Sequence, residues 1–260
     1  MKVQRWTDSK TWPWPEASKF VSETSYFEPP SLFAKAMSET IPIEANKTRL
    51  LDIGCGSGIV GIYCLVEKKA QCVTFNDIQR EAISESGSNV ATKIEEGQIR
   101  PEQADYVVAP FSDIARSIVD HHSLIGFNPP QLPTDYLDED YLRKLEVDPS
   151  MSIYRIGGTD GLKIVREFFH WYAGLSLPKP AAVILLSSFL GRTRIANAIR
   201  TCGLSGTILA ETPAPLRKIL INAADNFSAA ERSERSLARS LTEGGSIWMK
   251  TFLTVSLTNA

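Results

Sequence analysis

From Arg49 onward the chain alternates between two kinds of segment, and that alternation limits the folds open to it. Short apolar runs are separated by longer stretches whose apolar residues recur at helical spacing. "RLLDIG" reads as a buried strand, "GIVGIYCLVEKK" as a helix, "QCVTFND" as a strand and "QREAISESGSNVATKIEE" as a helix. "ADYVVAP" is a strand, "SDIARSIVD" a short helix and "SLIGFN" a strand. "GTDGLKIVREFFHWYAGL" is a strongly amphipathic helix and "AAVILLSS" the most apolar strand. "TRIANAIRTCG" is a helix stopped by Gly203, and "SIWMKTFLTVSL" reads as one last strand. Apolar strands alternating with helices demand a mostly parallel α/β sheet covered on both faces. In such sheets ligands bind at the carboxyl ends of the strands.

The length of 260 residues, 43% of them hydrophobic, suffices for one large domain or a domain with an appendage. A net charge of -2 argues against broad nucleic-acid binding. No run of apolar residues is long enough for a membrane span. The first twenty residues are polar, carry Trp6, Trp12 and Trp14, and lack the apolar core of a signal peptide, so the expected location is cytoplasmic. Cys55, Cys64, Cys72 and Cys202 show no metal-ligand spacing, so neither a metal site nor a disulfide framework is expected.

The first strand runs into "GCGSG" and then a helix. Gly54, Gly56 and Gly58 let the backbone pass close to a ligand, and the helix start offers free N–H groups. No Lys follows the glycines as a phosphate loop requires, and an acid, Asp52, precedes them. An acid beside the loop suits a cationic ligand better than a phosphate. S-adenosylmethionine, with its ammonium and sulfonium, fits. Asp77 ends the next strand, with Ile78 after it, where an acid typically accepts bonds from two ribose hydroxyls. Ser112 and Asp113 follow the third strand. They are placed either for contact with an adenine amino group or as a helix N-cap.

The fourth strand stops at Asn128, and Pro129 and Pro130 follow at once. Proline cannot donate to a sheet ladder and fixes its own φ, so a polar amide is held on a stiff strand end.

Together "LLDIGCGSGIVGI", "FNDIQREAI", Asn89, "FNPP" and "GGTDGL" resemble class I S-adenosylmethionine-dependent methyltransferases of the HemK-like branch. "YFEPPSLFAKAM" is similar to that family's segment before the core. The likeness spans about residues 26 to 210. It implies a Rossmann-like, mostly parallel seven-stranded sheet. It also implies an arm or lid over residues 1–45 and an S-adenosylmethionine-binding catalytic domain over residues 46–260. The arm would hold a short helix near Pro15–Ser22 and another after Pro29–Pro30. The cofactor would be held by Asp52, Gly54, Gly56, Gly58, Asp77, Ile78, Ser112, Asp113 and Asn128. The Asn128 side-chain oxygen and the Pro129 carbonyl would accept hydrogen bonds from the attacking nitrogen and so act in catalysis. The enzymes it resembles methylate a glutamine amide in release factors, and relatives act on nucleobase amines.

One position departs. Gln131 stands where the family has Tyr or Phe, which removes a ring that packs on a flat substrate. Gln131, Tyr154 and Ser187 remain the expected substrate contacts, with Tyr136 and Tyr141 as further candidates for an aromatic wall. Ser187 and Ser188 either meet substrate or satisfy the strand end. "ERSERSLARS", residues 231 to 240, reads as a solvated mixed-charge helix face. The expected activity is N-methylation of a small-molecule or peptide acceptor. The rival is a reaction with no partner beyond S-adenosylmethionine, like that of azetidine-2-carboxylate synthases: the cofactor's own amine closes a four-membered ring and releases methylthioadenosine.

Overall fold

A computed structural model of the chain describes residues 29–40, 47–147, 155–242 and 245–259. Trp6, Trp12, Trp14, the helix expected near Pro15–Ser22 and Tyr154 lie outside them. The apolar runs become parallel strands β1 (Arg49–Ile53), β2 (Cys72–Asp77), β3 (Ala104–Val108), β4 (Leu124–Phe127) and β5 (Ala181–Ser187). β6 (Leu204–Pro215) and β8 (Gly245–Asn259) complete the sheet in the order β3-β2-β1-β4-β5-β8-β6. β8 is antiparallel to both its neighbours. β7 (Ala238–Thr242) pairs with the first part of β8, so the described sheet has eight strands where seven were expected. β1 is flanked by β2 on one side and β4 on the other, and this reversal of strand order opens the crevice where such sheets bind ligands.

Each face is covered as the helical periodicity requires. On one side α1 (Pro29–Thr40), α2 (Ile59–Val66) and α3 (Arg80–Glu95) bury Phe33, Met37, Ile62, Leu65 and Val90 against Leu50, Val73, Phe75 and Leu185. On the other, α4 (Arg116–Asp120), α6 (Lys163–Ala173) and α7 (Arg192–Thr201) bury Val119, Phe168, Phe169, Tyr172 and Ile195 against Ile125, Phe127, Ile184 and Val255. The α6 sequence was expected to be helical from Gly158, but helix begins only at Lys163. Asp160 caps the Leu162 N–H, and Gly158 and Gly161 take positive φ.

A third core sits beyond the carboxyl ends of β4, β5 and β6. It joins Leu132, Phe189, Leu216, Leu220, Phe227 and Leu237. The short helices α5 (Glu139–Val147), α8 (Ile221–Asn226) and α9 (Ala229–Glu234) belong to these connections. Here the reading of residues 231–240 is corrected. Helix ends at Glu234, strand begins at Ala238, and Arg235 is buried. The Arg235 guanidinium donates to the Phe189 carbonyl and the Tyr136 hydroxyl and lies 4.5 Å from the Phe227 ring centroid. An arginine fits a core when its donors are satisfied and its plane meets aromatic faces.

Among the described residues no helix is long and apolar enough to cross a membrane. No group of three His, Cys, Asp or Glu there is arranged to hold a metal. The four cysteines are free thiols.

Candidate active site

The turn after β1 is a run of left-handed glycines, with φ of 59° at Gly54, 54° at Gly56 and 80° at Gly58. At Gly58, which opens α2, a Cβ would also lie 3.0 Å from Ser86 Cβ and 3.2 Å from Ile62 Cδ1. At Gly56 a Cβ would meet none of the described residues within 4 Å, so its conformation alone calls for glycine.

Three side chains hold the turn. The Gly61 N–H, in the first turn of α2, donates to Asp52 Oδ2 at 2.9 Å. The Gly56 N–H donates to Asp77 Oδ2 and the Gln79 N–H to Asp77 Oδ1, both at 3.0 Å. Asn89 Nδ2 donates to the Ser57 carbonyl at 2.9 Å. The two acids thus serve the scaffold already, and each carboxylate keeps lone pairs beyond these bonds. Burial pushes the Asp52 carboxyl up to about 7, against the Gly61 bond, and the nearby Asp77 charge adds to the rise. Asp77 is also raised, again by burial. No cation among the described residues offsets these two buried acids, and a cationic ligand there would stabilise both ionised forms.

Around this turn stand the other residues expected to hold the cofactor. Ile78 follows Asp77 and is 57% exposed, with Val108 exposed at the end of the adjacent β3. An exposed isoleucine beside a buried acid suits a flat apolar ring above a polar sugar. Ser112 and Asp113 form a 3-10 turn just after β3, with Ser112 Oγ donating to Asp113 Oδ1 at 2.9 Å. Both are exposed, and neither caps α4, whose N-cap is Ala115. Asn76, which the sequence reading did not single out, donates to the Val107 and Ala109 carbonyls at 3.1 and 2.9 Å and fixes the β2 end to β3.

Asn128 follows β4, half-buried, and no hydrogen bond joins its side chain to another described residue. Its neighbourhood is unusually constrained. Gln131 Nε2 donates to the Leu185 carbonyl at 2.8 Å, and the Ser187 N–H donates to Gln131 Oε1 at 2.7 Å. The side-chain amide therefore continues the β4–β5 ladder past two prolines that cannot. The same Nε2 approaches the Pro129 carbonyl at 3.3 Å. The amide expected to face substrate is thus engaged with the chain itself. "GGTDGL" packs behind it: a Cβ on Gly161 would lie 2.6 Å from the Gln131 carbonyl oxygen, and one on Gly157 2.9 Å from Gln131 Cα. Ser187 is buried, and its Oγ has no hydrogen-bond partner among the described residues. Tyr136 packs between Phe189 and Phe227 in the third core, and Tyr141 accepts from Arg155 at 3.3 Å.

The family model described as the methyltransferase small domain matches residues 31–131, from α1 through Gln131. No sequence among the curated proteins matches significantly. Among solved structures, PH1948 of Pyrococcus horikoshii, a presumed RNA methyltransferase, is 11% identical. That match covers 96% of this chain and 94% of that one at a TM-score of 0.52. A chain of the E. cuniculi Mtq2–Trm112 complex, which methylates the eRF1 termination factor, is 14% identical. It covers 88% of this chain and 99% of that one at a TM-score of 0.44. The fold is that of the class I methyltransferases. Residues 31–131 thus match the methyltransferase small domain, and the cofactor that this match implies is S-adenosylmethionine.

Proposed function

We propose that the protein transfers a methyl group from S-adenosylmethionine to an amine or amide nitrogen held by Asn128 and the Pro129 carbonyl. The observation that carries this reading is the Asn128 amide, without a partner among the described residues, on a strand end stiffened by two prolines and the Gln131 bonds to β5. Bound S-adenosylmethionine supplies an electrophilic methyl carbon on a sulfonium. Asp77 would hold the ribose hydroxyls, the Gly54–Gly58 turn the methionine portion, and Ile78 with Ser112 and Asp113 the adenine. Asp52 would balance the ligand's positive charge from beneath the turn.

Asn128 Oδ1 and the Pro129 oxygen would each accept an N–H of the acceptor, which aims the nitrogen lone pair. A neutral amine needs no strong base, because its lone pair is already available. The work of these groups is orientation, and orientation in a fixed geometry removes several kcal/mol from a barrier. The Gln131 bond to Pro129 occupies one lone pair of that carbonyl and leaves the other for the acceptor.

The test is incubation with S-adenosylmethionine carrying an isotopically labelled methyl group, alone and with a panel of amines, glutamine peptides and nucleosides, followed by mass analysis. Label on an acceptor nitrogen is the expected result. Methylthioadenosine and a cyclic amino acid from S-adenosylmethionine alone would replace methyl transfer by ring closure.

A further inference from the structure

β4 and β5 are parallel, and the bonds between parallel strands alternate along each strand. Every second residue of one strand donates its N–H to the carbonyl of the residue before its partner. The same residue accepts from the N–H of the residue after its partner. The Ala181 N–H donates to the Ser123 carbonyl at 3.1 Å, where the two strands begin to pair. Leu124 pairs with Ala181 and Phe127 with Ile184. Ser123 and, within β4, Ile125 and Phe127 are thus the residues that bond to β5. Next in this series is Pro129, which the register sets opposite Leu186. An ordinary residue there would donate to the Leu185 carbonyl and accept from the Ser187 N–H. Proline has no N–H to give.

Gln131 makes both of those bonds with its side chain. Nε2 donates to the Leu185 carbonyl at 2.8 Å, and the Ser187 N–H donates to Oε1 at 2.7 Å. A side-chain amide carries a donor and an acceptor side by side, as this place in the ladder requires. The chain just past Gln131 is gripped from the other side. The Leu132 N–H donates to the Arg155 carbonyl at 2.8 Å, and the Gly157 N–H donates to the Leu132 carbonyl at 3.0 Å. The end of β5 is therefore satisfied without the Pro129 backbone. Among the described residues the Pro129 carbonyl keeps one longer contact, from Gln131 Nε2 at 3.3 Å.

We propose that Gln131 is a positioning residue: its side-chain amide takes the place of Pro129 in the β4–β5 ladder and so releases the Pro129 carbonyl to the nitrogen of the methyl acceptor. The role in catalysis rests on the proposed methyl transfer. Without the amide the Ser187 N–H is unpaired, and the Pro129 carbonyl is the oxygen that ladder geometry offers it. A carbonyl turned into the sheet is lost to the acceptor.

Through-hydrogen-bond coupling in isotope-labelled protein identifies the carbonyl carbon that accepts the Ser187 N–H. Coupling to the Gln131 side-chain carbon is the expected result. Coupling to the Pro129 carbonyl carbon, or to neither, overturns the proposal. Kinetics test the consequence. Gln131→Met is expected to lower kcat about tenfold or more while S-adenosylmethionine affinity stays within about threefold of wild type. Gln131→Glu keeps an oxygen for the Ser187 N–H and is expected to turn over about threefold or more faster than Gln131→Met. Ile199→Ala, buried on α7, controls for lost stability and is expected to keep the wild-type kcat. An unchanged kcat in Gln131→Met, or an equal loss in Ile199→Ala, overturns the positioning role. If the wild type methylates no nitrogen in the panel of amines, peptides and nucleosides, the methyl-transfer reading falls. The Ser187 coupling then decides by itself whether Gln131 replaces Pro129 in the ladder.

Discussion

The two halves of the crevice are built on opposite principles. At the ends of β1 and β2 the polar side chains are joined to nearby backbone: Asp52 to Gly61, Asp77 to Gly56 and Gln79, Asn89 to Ser57. Beyond β4, the Asn128 amide and Ser187 Oγ have no hydrogen-bond partner among the described residues. The first half is thus cross-linked by its own side chains. In the proposed reaction, the partners of the second half would come from the acceptor. Gln131 stands at the border, because its amide belongs to the scaffold while it touches the carbonyl that the acceptor would use.

The comparison predicts separable damage. The largest effect is expected from Asn128→Ala, a loss of turnover by about a hundredfold or more, the range for a misplaced reacting group, read from initial rates on the methylated acceptor. Next is Asp77→Ala, expected to weaken S-adenosylmethionine binding about tenfold or more in calorimetry, since hydrogen bonds to a charged group contribute roughly 1.5–3 kcal/mol. Unchanged affinity would remove Asp77 from the cofactor half.

A smaller effect falls on folding. Gln131→Leu leaves the Ser187 N–H and the Leu185 carbonyl without partners, and unfolding by urea should show a loss of about 2 kcal/mol. If stability is unchanged, the ladder continuation through Gln131 contributes nothing.

A further effect on folding is a change of slope. The Asp52 carboxyl is raised to about 7 in the fold, so between about pH 4 and 7 the native state keeps a proton that the unfolded chain has lost. Native protein binds more protons there, and its contribution makes stability fall as pH rises. Asp52→Asn should flatten stability against pH across that window, and an unaltered slope would mean that Asp52 titrates normally.

Local features were legible in the sequence because their causes are local. The β1 turn and α2, the Asp77 strand end and the Asn128 stop are each written within about ten residues. β6 was not foreseen, since it pairs only with β8 at the sheet edge and most of its residues are exposed. An edge strand needs no apolar run and tolerates Pro213 and Pro215. Gln131 read as a lost aromatic contact because its ladder partners lie more than fifty residues on, at Leu185 and Ser187. Arg235 looked like surface charge for the same reason, as its aromatic cage is assembled from Tyr136, Phe189 and Phe227.

The division of labour between the two halves is tested most directly by titrating S-adenosylmethionine into the Asn128→Ala variant and into the wild-type protein by calorimetry. If Asn128 orients the acceptor, the two dissociation constants should agree within about threefold while turnover falls as above. A loss of affinity as large as the loss of rate would contradict the account, because the nitrogen that Asn128 holds would then belong to the cofactor itself.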